Sequence, residues 1–275
     1  MRKSITPAEK LAVTLRYLGT GCTFIDLHYS FKLGASTIGN IVREVCIAVW
    51  EELAHIEMPS LTEQLWKNKA ELFEQRANFP LLLAVVDANY KFLYIDVGSY
   101  GKDSDSTIFK NSTFWNLLTR NELNISEACP IQNTNIIANY VFVGDEAFGL
   151  SEHMLRPYGG RNSTSKKRIF NYRLSRARRY VECAFGILSN KWRIFHRPLN
   201  VSTRLAVNIT NACCVLHNFV RERNGIDFKD SLTVEGFEEI DPVIADRGGR
   251  TAIDMRNVYA DYFSSEGAVP WQHNK

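Results

Sequence analysis

The first 75 residues carry apolar side chains at helical spacing, interrupted by short polar turns. Thr6 followed by Pro7 is typical of a helix start, in which a hydroxyl caps the helix and proline occupies its first turn. Glycine-containing turns separate this helix from two more, which begin at Thr23 and near Ser36. The apolar positions of the first helix are Leu11, Leu15 and Leu18.

The second and third helices are joined by a turn at Gly34, which is the outline of a helix-turn-helix. The third helix would expose Asn40 and Arg43, and both residue types suit contacts with bases or phosphates. An ordinary helical bundle explains the same pattern. Both interpretations of residues 1–75 therefore stay open.

After Asn78 the pattern changes to short apolar runs typical of strands. The runs 81–86 and 92–97, joined by a turn at Asp87, predict a hairpin. A further strand over 139–144 ends at Asp145. Helices are predicted over 108–118, 171–188 and 204–223, and a short one in the tail over 255–263. Alternating strands and helices place residues 76–225 in the α/β class, followed by a tail over 226–275.

Composition sets broad limits on this chain of 275 residues. A hydrophobic share of 45% and a charged share of 23% are ordinary for a globular protein. No apolar run reaches the ~18–20 residues of a membrane span, so no membrane partner is expected. The six cysteines show no CxxC pair, which favours buried thiols in a reducing compartment over a zinc site.

The cations are concentrated in one segment, residues 156–197, where twelve of them face a single acid, Glu182. Aromatic residues alternate with them, and such a surface can hold phosphates and stack unpaired bases. A solvated helix face explains the charges equally well. The aromatic residues are Tyr158, Phe170, Tyr172, Tyr180, Trp192 and Phe195.

A lone carboxylate on a phosphate-binding face repels the ligand unless a divalent cation lies between them. Mg²⁺ is held by a few carboxylates and completes its shell with water and phosphate oxygens. Asp145 at a strand end and Asp105 after the predicted hairpin are the natural partners of Glu182. The alternative is a helix salt bridge between Glu182 and Arg178, worth only ~0.3–0.5 kcal/mol.

Four motifs together resemble the PIF/Harbinger transposase-derived nucleases. Residues 141–148 (VFVGDEAF) resemble the motif of the second catalytic acid, and residues 170–186 (FNYRLSRARRYVECAFG) resemble the helix of the catalytic glutamate. Residues 98–106 (GSYGKDSDS) are similar to a loop that supplies a further metal-site aspartate. Residues 213–219 (CCVLHNF) resemble the C-terminal helix of the family.

The resemblance implies a ribonuclease-H-like DDE domain that cuts DNA with two divalent metal ions, Mg²⁺ or Mn²⁺. It makes Asp145 and Glu182 catalytic acids and metal ligands, with Asp105 as an additional ligand. His217 is expected to be a core histidine. The cations assigned to DNA contact are Arg173, Arg176, Arg178, Arg179, Lys191 and Arg193.

One part of the family pattern is missing. The strand of the first catalytic aspartate, a Gly-x-Ile-Asp motif, should follow Pro80, but here Pro80 runs directly into the next strand. Asp87 ends an apolar run, yet the family directions put it in the hairpin turn, at the far end of the sheet from Asp145. We therefore expect an internally truncated domain with impaired catalysis.

Two functions follow from these observations. The first is a Harbinger-derived, metal-dependent DNA nuclease, impaired in this chain. The second is a domesticated DNA-binding or protein-interaction module without catalysis. The family resemblance also implies a nuclear location, with the cytoplasm left open, and a Myb-like DNA-binding partner protein, since the chain's own basic cluster at 166–168 is weak.

Overall fold

The computed structural model describes residues 4–80, 82–83, 85–98, 105–160, 164–224 and 248–273. The α-helices in these residues are α1 (Pro7–Thr20), α2 (Phe24–Phe31), α3 (Ala35–Glu57), α4 (Glu63–Ala77), α5 (Asp105–Asn111), α6 (Thr113–Thr119), α7 (Ser165–Lys191), α8 (Thr203–Asn224) and α9 (Arg250–Ser264). The strands are β1 (Leu82–Leu83), β2 (Cys129–Pro130), β3 (Ile137–Ala138), β4 (Val141–Val143) and β5 (Met154–Leu155). Short 3-10 helices cover Arg193–His196 and Pro270–His273.

The chain folds into two compact units, each assembled from separate stretches of sequence. The first comprises Met1–Ser60, Lys91–Gly98 and Cys183–Thr233. The second comprises Leu61–Tyr90, Ser99–Glu182 and Val234–Lys275. Helix α7 contributes residues up to Glu182 to the second unit. In the described residues, no helix is long and apolar enough to cross a membrane.

Helices α1 and α2 begin where the sequence predicts capping, whereas α3 begins at Ala35, after Gly34, without a side-chain cap. Thr6 and Glu9 form a reciprocal capping box at the start of α1, and Thr23 and Asp26 do the same for α2. Helix α1 ends at Gly21, whose φ of 68° is left-handed; a Cβ there would lie 2.7 Å from the Arg193 carbonyl oxygen. Helix α3 then packs against α1, α2 and α8 around a buried apolar core.

The hairpin predicted for residues 81–97 is not formed by two strands: in the described part of this segment, beyond β1, only the single bridge residues Val86 and Phe92 lie on either side of its turn. The turn is present, since the Tyr90 N–H donates to the Asp87 carbonyl, but residues 93–98 form no strand. The Phe92 N–H donates to Asn218 Oδ1 at 2.8 Å, and the Phe92 carbonyl accepts from Asn218 Nδ2 at 2.7 Å. A side chain of α8 thus satisfies the main-chain groups that a second strand would have used.

The main sheet of the second unit has the order β1-β4-β5 and both of its pairings are parallel. Leu82 pairs with Val141 and Leu83 with Phe142, so the carboxyl ends of β1 and β4 lie at one edge. A separate antiparallel pair joins β2 and β3. Helices with small, mostly parallel sheets fit the broad architecture expected from the sequence; the ribonuclease-H-like detail stays a prediction.

Helix α9 is longer than the predicted span 255–263 and belongs to the core of the second unit. Tyr259 and Phe263 are fully buried and pack with Phe79. The Tyr259 hydroxyl donates to the Asn139 carbonyl at 2.7 Å, just before β4. The C-terminal helix therefore supports the strand that leads to Asp145.

Candidate active site

Asp145 lies two residues beyond the end of β4 in a tight, well-bonded turn. The Gly144 N–H donates to the Leu155 carbonyl at 2.9 Å, and Asp145 Oδ1 accepts from the Ala147 N–H at 2.9 Å. A Cβ on Gly144 would lie 2.9 Å from the Phe148 ring, so glycine permits the ring to close against the strand end. The second carboxylate oxygen stays available for other partners.

Arg178 lies between the two carboxylates that the sequence predicts as metal ligands. Its Nη2 is 3.8 Å from Asp145 Oδ2 and 3.8 Å from Glu182 Oε1. The two carboxylate oxygens are therefore no farther apart than twice this distance. All three side chains remain partly exposed, at 25–34%. Asp145 and Glu182 thus lie close together, as predicted, with a guanidinium between them.

The surroundings of Glu182 disfavour its charged form. Partial burial raises the pKa of the Glu182 carboxyl, and the Asp145 carboxylate raises it further. Arg178 and Arg179 act in the opposite direction but do not cancel this effect. A cation bound beside Glu182 would relieve the remaining penalty.

A cavity of about 280 Å³ opens beside the two carboxylates, and its walls are mostly apolar. Val85, which follows β1, lines it together with Asp145 and Glu182. The other lining residues include Phe109, Phe114, Phe142, Phe148, Met154 and Val181. An aliphatic side chain therefore stands at the end of β1, on the edge of the sheet that also carries Asp145.

Asp105 and Asp87 are the other acids considered as metal ligands. Helix α5 begins at Asp105, but the Asp105 side chain lies outside the described residues. Because β1 and β4 are parallel, Asp87 follows β1 at the same edge of the sheet as Asp145. The strand directions implied by the family resemblance had put Asp87 at the opposite end of the sheet. Its carboxylate is fully buried, however, and forms a 2.7 Å ion pair with Lys69 of α4.

The two described carboxylates, Asp145 and Glu182, fit a single divalent cation. In the part of the chain that the structure describes, no three His, Cys, Asp or Glu side chains come together as a metal site. Two carboxylates are enough for a Mg²⁺ ion that keeps several waters and takes phosphate oxygens as further ligands. A pair of metal ions needs more acids than Asp145 and Glu182 provide.

Arg173, one of the cations predicted to contact DNA, lies in the core of the second unit with 2% of its surface exposed. Its guanidinium donates to the Asn78 and Gly267 carbonyls and to Gln272 Oε1. Burial lowers the pKa of Arg173 to about 10, so it remains a cation at neutral pH. These contacts give Arg173 a structural role.

The remaining predicted cations are more accessible. Arg176 lies with its guanidinium carbon 4.1 Å from the Trp271 ring centre, and Arg179 is exposed on the same helix. Lys191 and Arg193 are exposed at and after the end of α7, in the first unit. The structure therefore leaves an accessible cationic surface on α7, without Arg173.

The aromatic residues of α7 serve mainly in packing. Phe170 is fully buried. Tyr180 packs against Phe73 at 5.1 Å and stacks with Tyr90 at 5.4 Å. His217 is buried in the first unit and packs against Phe92, as expected for a core histidine. The prediction that these rings stack unpaired bases gains no support from Phe170 or Tyr180.

The sequence matches a family model over most of its length. The family model described as "DDE superfamily endonuclease" matches residues 54–218, which is more than half of the chain. The chain therefore belongs to the DDE superfamily endonucleases. The resemblance to Harbinger transposase-derived nucleases is confirmed.

Among curated proteins, the chain is similar to "Protein ALP1-like" of Arabidopsis thaliana, with 26% identity over 255 residues. The match covers 81% of this chain and 61% of the relative, so the chain spans less than two thirds of the length of that protein. No solved structure matches the chain.

Proposed function

We propose that this protein is a DNA-binding descendant of a metal-dependent nuclease, with a ribonuclease-H-like domain whose catalysis is impaired. The observation that carries the proposal is the position of Arg178 between Asp145 and Glu182. Two acids close together in a DDE endonuclease domain support a metal site by descent. An arginine between them and Val85 at the end of the adjacent strand support the loss of its full activity.

In this proposal, Asp145 and Glu182 hold a single Mg²⁺ or Mn²⁺ ion, which would neutralise the charge of a bound phosphate. Asp145 is fixed by the turn after β4, and Glu182 projects from α7, so the cation would lie between two rigid elements. Arg178 is long enough to move from the carboxylates to a phosphate oxygen when the cation binds. Asp105 would be a further ligand, contributed from the start of α5.

Catalysis by two metal ions requires an acid that bridges both, and the chain offers a valine beside the cavity instead. Even the loss of a residue that supports a ligand costs roughly 10–100-fold in metal affinity or activity. Loss of the bridging acid should cost more. We therefore infer weak binding of one cation, at millimolar concentrations, without cleavage of DNA.

The test is a plasmid-nicking assay with Mn²⁺, run beside measurements of DNA binding. We expect the chain to bind DNA and to leave the plasmid intact, and Glu182→Gln to behave in the same way. Metal-dependent nicking by the chain that disappears in Glu182→Gln would overturn the inference that the chain does not cleave DNA. Absence of DNA binding would overturn the proposal as a whole.

A second function, that of a protein-interaction module without catalysis, is favoured by the surface of α2. Ile25 and Tyr29 lie one helical turn apart and are 61% and 76% exposed. In the family pattern, a Myb-like protein would be the partner that supplies DNA recognition and entry to the nucleus. Replacing both residues with serine should abolish co-purification with such a partner. Unchanged co-purification would show that the partner does not bind at this surface.

A further inference from the structure

A second group of cations surrounds Tyr158, on the chain segment between β5 and α7. The guanidinium carbon of Arg256, from α9, lies 4.0 Å from the centre of the Tyr158 ring, and Lys167 Nζ lies 5.4 Å from it. Arg256 lies outside residues 54–218, the span of the family match. Nothing in the sequence pattern assigned Arg256 to DNA contact, because Arg256 lies far along the chain from the basic segment 156–197.

Tyr158 is held firmly at the centre of this group. Its N–H donates to Asn171 Oδ1 at 2.8 Å, and its carbonyl accepts from Asn171 Nδ2 at 2.9 Å. Its hydroxyl donates to Asn257 Oδ1 at 2.7 Å. Contacts from both α7 and α9 thus fix the ring and the cations that pack on it.

Arg156 adds a third positive charge. Burial lowers the pKa of Arg256, and the neighbouring Arg156 contributes to the same shift. Arg156 Nη1 donates to the Glu146 carbonyl at 3.3 Å, directly after Asp145 in the chain. The carboxylate of Asp261, also on α9, is paired with Lys166.

We propose that Arg156, Lys167 and Arg256 bind a backbone phosphate of DNA, beside the pair of carboxylates. This inference rests on the proposed function, because it assumes that DNA is the ligand. Arg256 and Lys167 lie at one ring, and Arg156 is near enough to Arg256 to act on its charge, so the three cations repel each other. A phosphate removes that repulsion while accepting their hydrogen bonds. Because Arg156 contacts the Glu146 carbonyl, this phosphate would belong to the part of the DNA that passes close to Asp145.

The chemistry favours a phosphate over a base at this position. Arg256 covers the Tyr158 ring at stacking distance, so the group presents guanidinium and ammonium donors in place of an open aromatic face. Donors of this kind bind phosphate oxygens irrespective of the base sequence. We therefore expect the contact to strengthen binding equally for all sequences.

The experiment measures binding of the full chain to fluorescein-labelled duplexes of two unrelated sequences over a range of salt concentrations. Arg256→Gln and Lys167→Gln should each weaken binding to both duplexes equally. Each should also reduce the steepness of log K against log salt, by at most about 0.9, since the three cations share one phosphate. Arg250→Gln is the matched control, since Arg250 is an exposed cation in the first turn of α9.

The outcomes separate this inference from the function on which it rests. If the parent chain binds DNA but Arg256→Gln and Lys167→Gln keep the salt dependence of Arg250→Gln, the phosphate site is refuted and the proposed function stands. If the parent chain does not bind DNA, both fail. Thermal unfolding of each variant shows whether it is folded. Lys167→Gln should disturb the fold least, because Lys167 is only half-buried.

Discussion

Replacement of Arg178 by glutamine should strengthen the binding of a divalent cation. In the structure the guanidinium lies 3.8 Å from each of Asp145 and Glu182, so it takes part of the place of a cation between them. A metal ion that binds both carboxylates must break both ion pairs. The variant has no such pairs to break.

The size of this effect follows from the exposure of the three side chains. Partly exposed ion pairs contribute about 0.2–1 kcal/mol each, and the structure has two of them. Their removal should therefore lower the Kd for the metal by roughly 2- to 30-fold. Against this gain, the loss of Arg178 removes an influence that lowers the pKa of Glu182, so the measurement belongs at about pH 8, well above the ordinary range of a glutamate.

The assay is a titration with Mn²⁺, followed by electron paramagnetic resonance of the free ion. Arg179→Gln is the matched control: it removes the same charge from the next position of α7, and Arg179 also acts on Glu182 electrostatically, but after Arg178 in size. Equal Kd values for the two variants would show that only the long-range field matters. A weaker affinity in Arg178→Gln would refute the reasoning.

Three further predictions follow from the second unit. Val85→Asp should place a third acid in the cavity, so that Mn²⁺ raises its Tm more than that of the parent chain; an equal rise would contradict the geometry. Arg173→Met should cost roughly 3 kcal/mol in urea unfolding by stranding three acceptors, whereas Arg176→Met should cost below about 1 kcal/mol; similar losses would contradict the structural role of Arg173. Because burial raises the pKa of Glu182, the folded chain binds that proton more tightly and loses stability as the pH rises above the ordinary glutamate value of 4.5; Glu182→Gln should remove this loss, and a Tm difference independent of pH would count against it.

The local parts of the fold could be predicted from the sequence because their causes are local. The capping boxes at Thr6 and Thr23 need only residues three positions apart, and the structure has both. The nearness of Asp145 and Glu182 was also accessible, since one ends a strand and the other lies on the following long helix. Neither inference requires knowledge of distant partners.

The hairpin was mispredicted because its cause is not local. The runs at 81–86 and 92–97 look like paired strands, but Asn218, far away in sequence, bonds the main chain of Phe92. Arg173 shows the same limit. Counting charges on α7 cannot separate a buried arginine from an exposed one when its acceptors come from Asn78 and from the C-terminal segment.

The burial of Arg173 decides where this protein can be cut for expression. The family match ends at residue 218, which makes a fragment ending there an obvious choice. Such a fragment would lack Gly267 and Gln272, which accept hydrogen bonds from Arg173, and also the fully buried Phe263. A charged guanidinium would then face an open apolar surface, and the fragment should aggregate. Soluble material therefore requires the chain through Gln272.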